Sequence, residues 1–292
     1  MANLQRLIEH IRITQDDISK VSNAKENLLK VLREKKSNNE IPNFISSWIV
    51  GSYGRKTKIA PLDDVDIFII LAESDNGSYN IPNEYCNNGN HISSLLILNA
   101  IKKALSNTFN YQNSQIKRNN EVVNIFLSSY EVGFDIVPVL FDKTKNLYRI
   151  PKGSGTHDWK SSNPEKDQEI INKLNSKHNE KFKEIIKILK YWMKKKKMKN
   201  LRSYHLESIC YFIFDSVNSV SSVFEGLKVF YQNISRFQNY LISCPDPTGI
   251  GENLSSDYCQ DDLNNFISKC NSSLQKLNEG EEEYVKDVTP EI

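Results

Sequence analysis

The chain is poor in glycine and proline, with eleven and nine among 292 residues. That is about half the usual share, and it excludes a collagenous or low-complexity chain. Cysteine is scarce and odd in number, five in all, and no two form a C-x-x-C pair. A zinc site and a disulfide framework are therefore not expected, and a reducing, cytoplasmic setting is. The longest apolar run, Ile67 to Ala72, has six residues, against the roughly 20 that span a bilayer. The N-terminus lacks the apolar stretch of a signal peptide, so no membrane association is expected. Charge of one sign is also missing. The net value is +2, which by itself points to no partner.

What is present is enough to fold. Apolar residues make up 39% and charged residues 25%, within the globular range for one large domain or two ordinary ones. The small net charge hides two local excesses. Residues 181–202 carry ten Lys or Arg against Glu184 alone, and residues 279–292 carry six acids against Lys286. The first reads as a basic helix and the second as an acidic tail.

Apolar residues at three- and four-residue steps predict one long helix over 3–37. A strand follows at Trp48-Ile49-Val50, and a stronger β-branched one at Asp63–Leu71. Residues 74–90 read as a loop and 91–107 as a helix. Strand candidates then lie at 114–118, 121–127 and 132–140, and 148–163 reads as a connector. Beyond Pro164 the pattern is helical: one long helix over 165–199, then shorter ones near 203–220, 221–243 and 256–278. The expected organisation is two domains. Residues 1–162 would form an N-terminal helix and an α/β core, and 163–292 a helical domain ending in the acidic tail.

The residues that carry chemistry are Gly51-Ser52, Asp64-x-Asp66 and Asp135. Two carboxylates two apart on a strand share a face and repel unless a cation lies between them. Asp135, on another strand, would complete three carboxylates if the strands are neighbours, with Glu121 as the fallback. Such an oxygen-only set suits Mg²⁺ together with phosphate oxygens, and a pair of ions suits in-line nucleotidyl transfer. Gly51-Ser52, between a strand end and a short helix, offers backbone N–H groups and a hydroxyl to a triphosphate. A lone D-x-D is usually a solvated strand edge, but the ordered combination is specific. Lys183, Lys187, Lys190, Lys194 and Lys197 form a stripe on the basic helix. Such a stripe is usually solvated. Lys190, beside the apolar Ile186, Leu189 and Met193, is the one expected to turn toward the cleft. Trp159 and Trp192 are assigned to packing between the halves.

Gly51-Ser52-Tyr53-Gly54-Arg55-Lys56-Thr57, followed by Pro61-Leu62-Asp63-Asp64-Val65-Asp66-Ile67, resembles the signature of the polymerase-β-like nucleotidyltransferases. Within them it is similar to the cyclic GMP-AMP synthase and oligoadenylate synthase branch. Within that branch it resembles the bacterial CD-NTases, the oligonucleotide cyclases of CBASS antiphage systems. The likeness continues in Asp158–Pro164, Leu189-Lys190-Tyr191-Trp192, Ser203-Tyr204-His205-Leu206-Glu207 and Pro245-Asp246-Pro247, and so spans about residues 45–265. The resemblance implies an α+β fold: a mixed-sheet nucleotidyltransferase core with a long N-terminal helix, a C-terminal helical bundle, and an active site in the cleft between them. It implies two Mg²⁺ ions, or Mn²⁺ in their place, held by Asp64, Asp66 and Asp135. Asp135 would also take the proton of the attacking hydroxyl. Gly51 and Ser52 would hold the donor triphosphate, Lys190 and Ser203 would reach its phosphates, and Tyr204 would stack on its base.

The implied enzyme uses ATP, other nucleoside triphosphates or both to make a cyclic or linear oligonucleotide second messenger, which a separate effector protein reads. Neither zinc nor a nucleic-acid activator is indicated. Three other readings share parts of the pattern: an RNA nucleotidyltransferase of the CCA-adding or poly(A)-polymerase kind, a toxin that nucleotidylates tRNA or protein, and a non-catalytic relative. The acidic tail opposes the first, and the three intact acids oppose the last.

Overall fold

The apolar periodicity read as one helix over 3–37 is realised as two, α1 (Leu4–Ile11) and α2 (Gln15–Ser37). Thr14 makes the break. It forms a capping box with Asp17: the Asp17 N–H donates to Thr14 Oγ1 at 3.1 Å, and the Thr14 N–H to Asp17 Oδ2 at 2.8 Å. Such a cap starts a helix as firmly as it stops the one before. The structure is a computed structural model, and it describes residues 3–87, 91–153, 155–198 and 201–289.

After α2 come strand β1 (Ser46–Ile49), the four-residue helix α3 (Gly51–Gly54) and the ten-residue strand β2 (Val65–Ser74). The region read as a loop over 74–90 holds the end of β2 and a two-residue strand β3 (Cys86–Asn87), and residues 88–90 lie outside those described. β3 pairs with β4 (His91–Ile92), and α4 (Ser94–Ser106) follows. Next are β5 (Gln115–Asn119), β6 (Val122–Leu127) and β7 (Val132–Asp142). The segment read as a connector holds two further strands, β8 (Leu147–Pro151) and β9 (Trp159–Ser162). Both are short, and pairing to β7 and to each other makes strands of them, a non-local cause that periodicity does not report.

Helices follow: α5 (Pro164–Lys177), α6 (Phe182–Lys195), α7 (Ser203–Asp215), α8 (Val223–Asn233), α9 (Gln260–Glu279) and α10 (Glu281–Val288). The long helix expected over 165–199 is thus split. Asn179 and Glu180 adopt φ of 53° and 60°, outside the right-handed helical region. The stretch read as an acidic tail is mostly helix α10. Tyr284, Val285 and Val288 are buried there, and Lys196 pairs with Asp287 at 2.7 Å. Glu282 and Glu283 mark the polar face of this packed helix, and Glu291 lies outside the described residues.

The chain divides into two units. One comprises Met1–Arg12, Arg55–Pro61 and Glu165–Ile292, and the other Ile13–Gly54 and Leu62–Pro164. This departs from the single cut expected near residue 162. α1 belongs with the helices because Leu4, Leu7 and Ile11 join the core built by Ile185, Leu189 and Trp192. The segment 55–61 joins them too: the Ala60 N–H donates to the Ile11 carbonyl at 2.9 Å. In this unit Trp192 is buried in the helical core, its Nε1 donating to Ser273 at 2.7 Å. Trp159 belongs to the other unit, donating to the Ile92 carbonyl at 2.8 Å. Each tryptophan therefore serves its own unit.

The sheet runs β1-β2-β7-β6-β5, with β8 on β7 and β9 on β8. β2 and β7 are parallel, and the other pairs are antiparallel. Ile67, Ile69, Ile125, Phe134 and Ile136 pack with Val21, Leu28 and Leu32 of α2 and Ile97 and Ile101 of α4. Each such side chain contributes about 1.5–3 kcal/mol when fully buried. The opposite face carries Phe68, Ile70, Val137, Val139 and Tyr148. The central strands are apolar on both faces because both are covered. The polar exceptions on the second face form the site.

Candidate active site

Val50 continues β1 by donating to the Asp66 carbonyl at 3.0 Å. The chain then turns at Gly51, whose φ is +64°. Only glycine takes this conformation without strain. A Cβ there would also overlap Oδ2 of Asp66, so the missing side chain lets the turn lie against that carboxylate. Ser52 follows in α3, which closes with Gly54 N–H donating to the Val50 carbonyl at 3.1 Å.

Asp66 is directly opposite Asp135 across the parallel pair of β2 and β7. Direct partners share a face, so the two carboxylates stand side by side. Asp64 sits one residue ahead of β2 and not within it. Its backbone is drawn toward β7 by Gly133, which has no Cβ and lets the Asp63 carbonyl come close. Asp63 and Asp64 are exposed, whereas Asp66 and Asp135 are half-buried. The structure thus brings Asp66 and Asp135 together and leaves Asp64 at the rim. Among the described residues no group of three or more His, Cys, Asp or Glu side chains is gathered as a ready metal site. The adjacent pair still fits a hard cation. Two half-buried carboxylates side by side repel one another, and an ion on oxygen ligands relieves this.

One residue of this face escaped the sequence reading. Asn124 of β6 is opposite Asp135, and its Nδ2 donates to Asp135 Oδ1 at 2.8 Å. Lys117 of β5 is opposite Asn124 in turn. Asp66, Asp135, Asn124 and Lys117 therefore form one polar rung on four consecutive strands. A lone Asn in Val-Val-Asn-Ile-Phe-Leu is a signal of sorts, but the pairing that gives it meaning is not local.

The helical unit carries a second polar cluster, and it is buried. Arg55 donates from Nη1 to Asp167 at 2.7 Å and from Nε to Glu207 at 3.2 Å. Lys190 pairs with Glu207 and donates to the Thr57 carbonyl at 3.1 Å. Thr57 Oγ1 donates to Glu207 at 3.1 Å. Glu207 is wholly buried and Lys190 nearly so. Burial alone would raise the Glu207 carboxyl, but Arg55 and Lys190 outweigh it and hold it below the usual range. Burial lowers the Lys190 ammonium, against the pull of Glu207. The Lys190 ammonium is thus held by a carboxylate and a carbonyl of its own unit. Asp167 is pushed up to about 6 by burial, with Arg55 opposing.

Tyr204 lies under the Arg55 guanidinium, 5.1 Å from ring centroid to Cζ. Burial raises its hydroxyl well above the usual value. Ser203 is the exposed first residue of α7. Neither is drawn into the Lys190–Glu207 pair.

The sequence profile of the Second Messenger Oligonucleotide or Dinucleotide Synthetase (SMODS) domain matches residues 1–175. The chain belongs to the SMODS family. With that membership it is a nucleotidyltransferase that synthesises an oligonucleotide second messenger, and catalysis in this family is metal-dependent. A probable cyclic nucleotide synthase of Bacillus cereus (strain VD146) is 29% identical over 227 residues, covering 71% of this chain and 67% of the relative. A cyclic AMP-AMP-AMP synthase of an Acinetobacter species is 26% identical over 280 residues, covering 90% and 73%. Among solved structures, CdnC of Escherichia coli MS115-1 with ATP superposes with a TM-score of 0.73 at 15% identity, over 98% of this chain and 96% of that one. The SMODS fold is therefore the α+β, polymerase-β-like fold of the bacterial CD-NTases. No helix of the described residues is long and apolar enough to cross a membrane.

Proposed function

We propose that this SMODS protein takes ATP, alone or with other nucleoside triphosphates, and joins them through 3′–5′ or 2′–5′ phosphodiester bonds into a small cyclic oligonucleotide. The observation that carries this reading is the direct register of Asp66 and Asp135 beside the Gly51 turn. Gly51 and Ser52 hold the donor triphosphate. Asp66 and Asp135, with Asp64 from the rim, would hold Mg²⁺, or Mn²⁺ in its place. When bound, the ions supply charge neutralisation for in-line transfer. Asp135 receives the proton of the attacking ribose hydroxyl. That oxygen bonds to the α-phosphorus, the bond from phosphorus to the bridging oxygen breaks, and pyrophosphate leaves.

Ser203 and Tyr204 are candidates for the donor by the family resemblance alone. For Lys190 to reach a triphosphate, the triphosphate must compete with Glu207 for its amine. The relatives' names support the class of reaction by analogy. The cyclic AMP-AMP-AMP synthase favours an adenine-containing product, and the structure solved with ATP favours that donor. The product is read by a separate effector in the cytoplasm, as part of antiphage defence.

Incubation with radiolabelled nucleoside triphosphates and Mg²⁺ or Mn²⁺, with and without RNA, followed by phosphatase, tests the reading. A small phosphatase-resistant product is expected, and Asp135→Ala abolishes it. Label in RNA instead makes the protein an RNA nucleotidyltransferase, and label in protein or tRNA makes it a toxin-like transferase. Either result overturns the proposal.

A further inference from the structure

Asn124 holds one carboxylate of the polar rung, that of Asp135, by a side-chain hydrogen bond. Its neighbours Val123 and Ile125 are fully buried on the opposite face, so alternation sends Asn124 to the carboxylate face. The amide is half-buried and donates to Oδ1 of Asp135. The torsion that turns a carboxylate about its Cβ–Cγ bond is soft, with broad minima. One fixed N–H donor removes that freedom, satisfies one oxygen and leaves Oδ2 with a set direction.

The order along the rung matters. Gly51 lies against Asp66, so the donor side of the site is at β2. Asn124 flanks Asp135 from β6, on the side away from Asp66. The carboxylate assigned to the attacking hydroxyl is thus braced from the side opposite the donor turn. A hydrophobic residue at 124 would keep the strand, its pairing and the apolar face intact, and would remove only the brace.

We infer that Asn124 is a positioning residue for Asp135: its amide sets the carboxylate so that Oδ2 presents to the metal and the incoming hydroxyl. This rests on the reading that Asp135 is catalytic. Partners of this kind change metal affinity or turnover by about 10–100-fold when removed.

The test compares wild type, Asn124→Leu, Asn124→His and Asp135→Asn. Leu has the same branched skeleton, somewhat bulkier, and no donor, and His keeps an N–H at similar reach. Four quantities are measured on the full chain: kcat, KM for ATP, Mn²⁺ affinity by calorimetry with a non-hydrolysable ATP analogue, and the unfolding midpoint. Asn124→Leu is expected to lower kcat and weaken Mn²⁺ binding by roughly 10–100-fold, with KM and the midpoint little changed. Asn124→His is expected to recover most of both. The proposal is overturned if Asn124→Leu keeps kcat and Mn²⁺ affinity within about twofold of wild type. It is also overturned if its losses follow a fallen midpoint and His rescues nothing. If instead Asp135→Asn turns over normally, the reading of the site fails, and the role of Asn124 fails with it.

Discussion

Gly51 and Asp66 are in contact where a side chain on the first would occupy the space of the carboxylate of the second. With φ at +64°, any L-residue at 51 is also strained. Left-handed backbone disfavours an L-residue by roughly 1–2 kcal/mol. Gly51→Ala must therefore displace either the turn or Asp66. Turnover should fall by tenfold or more, while the unfolding midpoint moves by only a few degrees. Steady-state product formation together with calorimetric unfolding checks this, and near-normal kcat would show that the turn is not part of the site.

Asp66 and Asp135 repel each other when no cation is bound. Asp64→Asn combined with Asp66→Asn should abolish product and leave the metal-free protein as stable as wild type or slightly more so. Product assay and thermal unfolding in chelator are the measurements. A double variant that turns over normally would displace these carboxylates from the centre.

Lys190 and Lys187 lie on the same stripe but are built in differently. Lys190→Ala leaves Glu207 short of a partner inside the helical unit, and breaking a buried pair costs about 3–5 kcal/mol. Its unfolding midpoint should fall by roughly 10 °C. Burial disfavours the Lys187 ammonium, and Arg12 and Lys183 beside it add to this. Lys187→Ala should leave the midpoint within a few degrees. Equal shifts at the two positions would contradict the network.

Asp167 gives stability a pH dependence of definite sign. Burial raises its carboxyl from the usual 3.8 to about 6, so the folded protein holds this proton more tightly than the unfolded chain does. Its contribution is fully present below about pH 4 and is lost as pH rises through 6, on the order of 3 kcal/mol. Asp167→Asn should flatten that part of the profile. Glu207, held below its usual value, acts oppositely: its contribution is present above the ordinary carboxylate range and fades only in stronger acid. Calorimetric unfolding between pH 4 and 7 separates the two. An unchanged slope in Asp167→Asn would show that another group carries it.

Much of this protein is legible without coordinates. The β-branched run at Ile67–Leu71, the Gly-Ser turn and the order of the acids are local features, set by alternation, backbone freedom and charge over a few residues. They sufficed for the fold class and the family, and they single out Gly51, Ser52, Asp64, Asp66 and Asp135 as candidates. Helix breaks were less legible. The periodicity continues through Thr14 and through Asn179-Glu180, and a cap or a left-handed residue interrupts a helix without disturbing its apolar spacing.

Only the tertiary structure decided the rest. The register that sets Asp66 against Asp135 joins strands 69 residues apart, and no short-range pattern encodes it. The same pairing turns Asn124 from an oddity in an apolar strand into the partner of Asp135. Five lysines at helical spacing look alike in sequence, and packing against Glu207 and Thr57 singles out Lys190. The acidic end of the chain reads as a solvated tail, because net charge outweighs Tyr284, Val285 and Val288 in any local count. In the fold those three side chains find a core to enter, and Glu282 and Glu283 are left on the outer face of a helix.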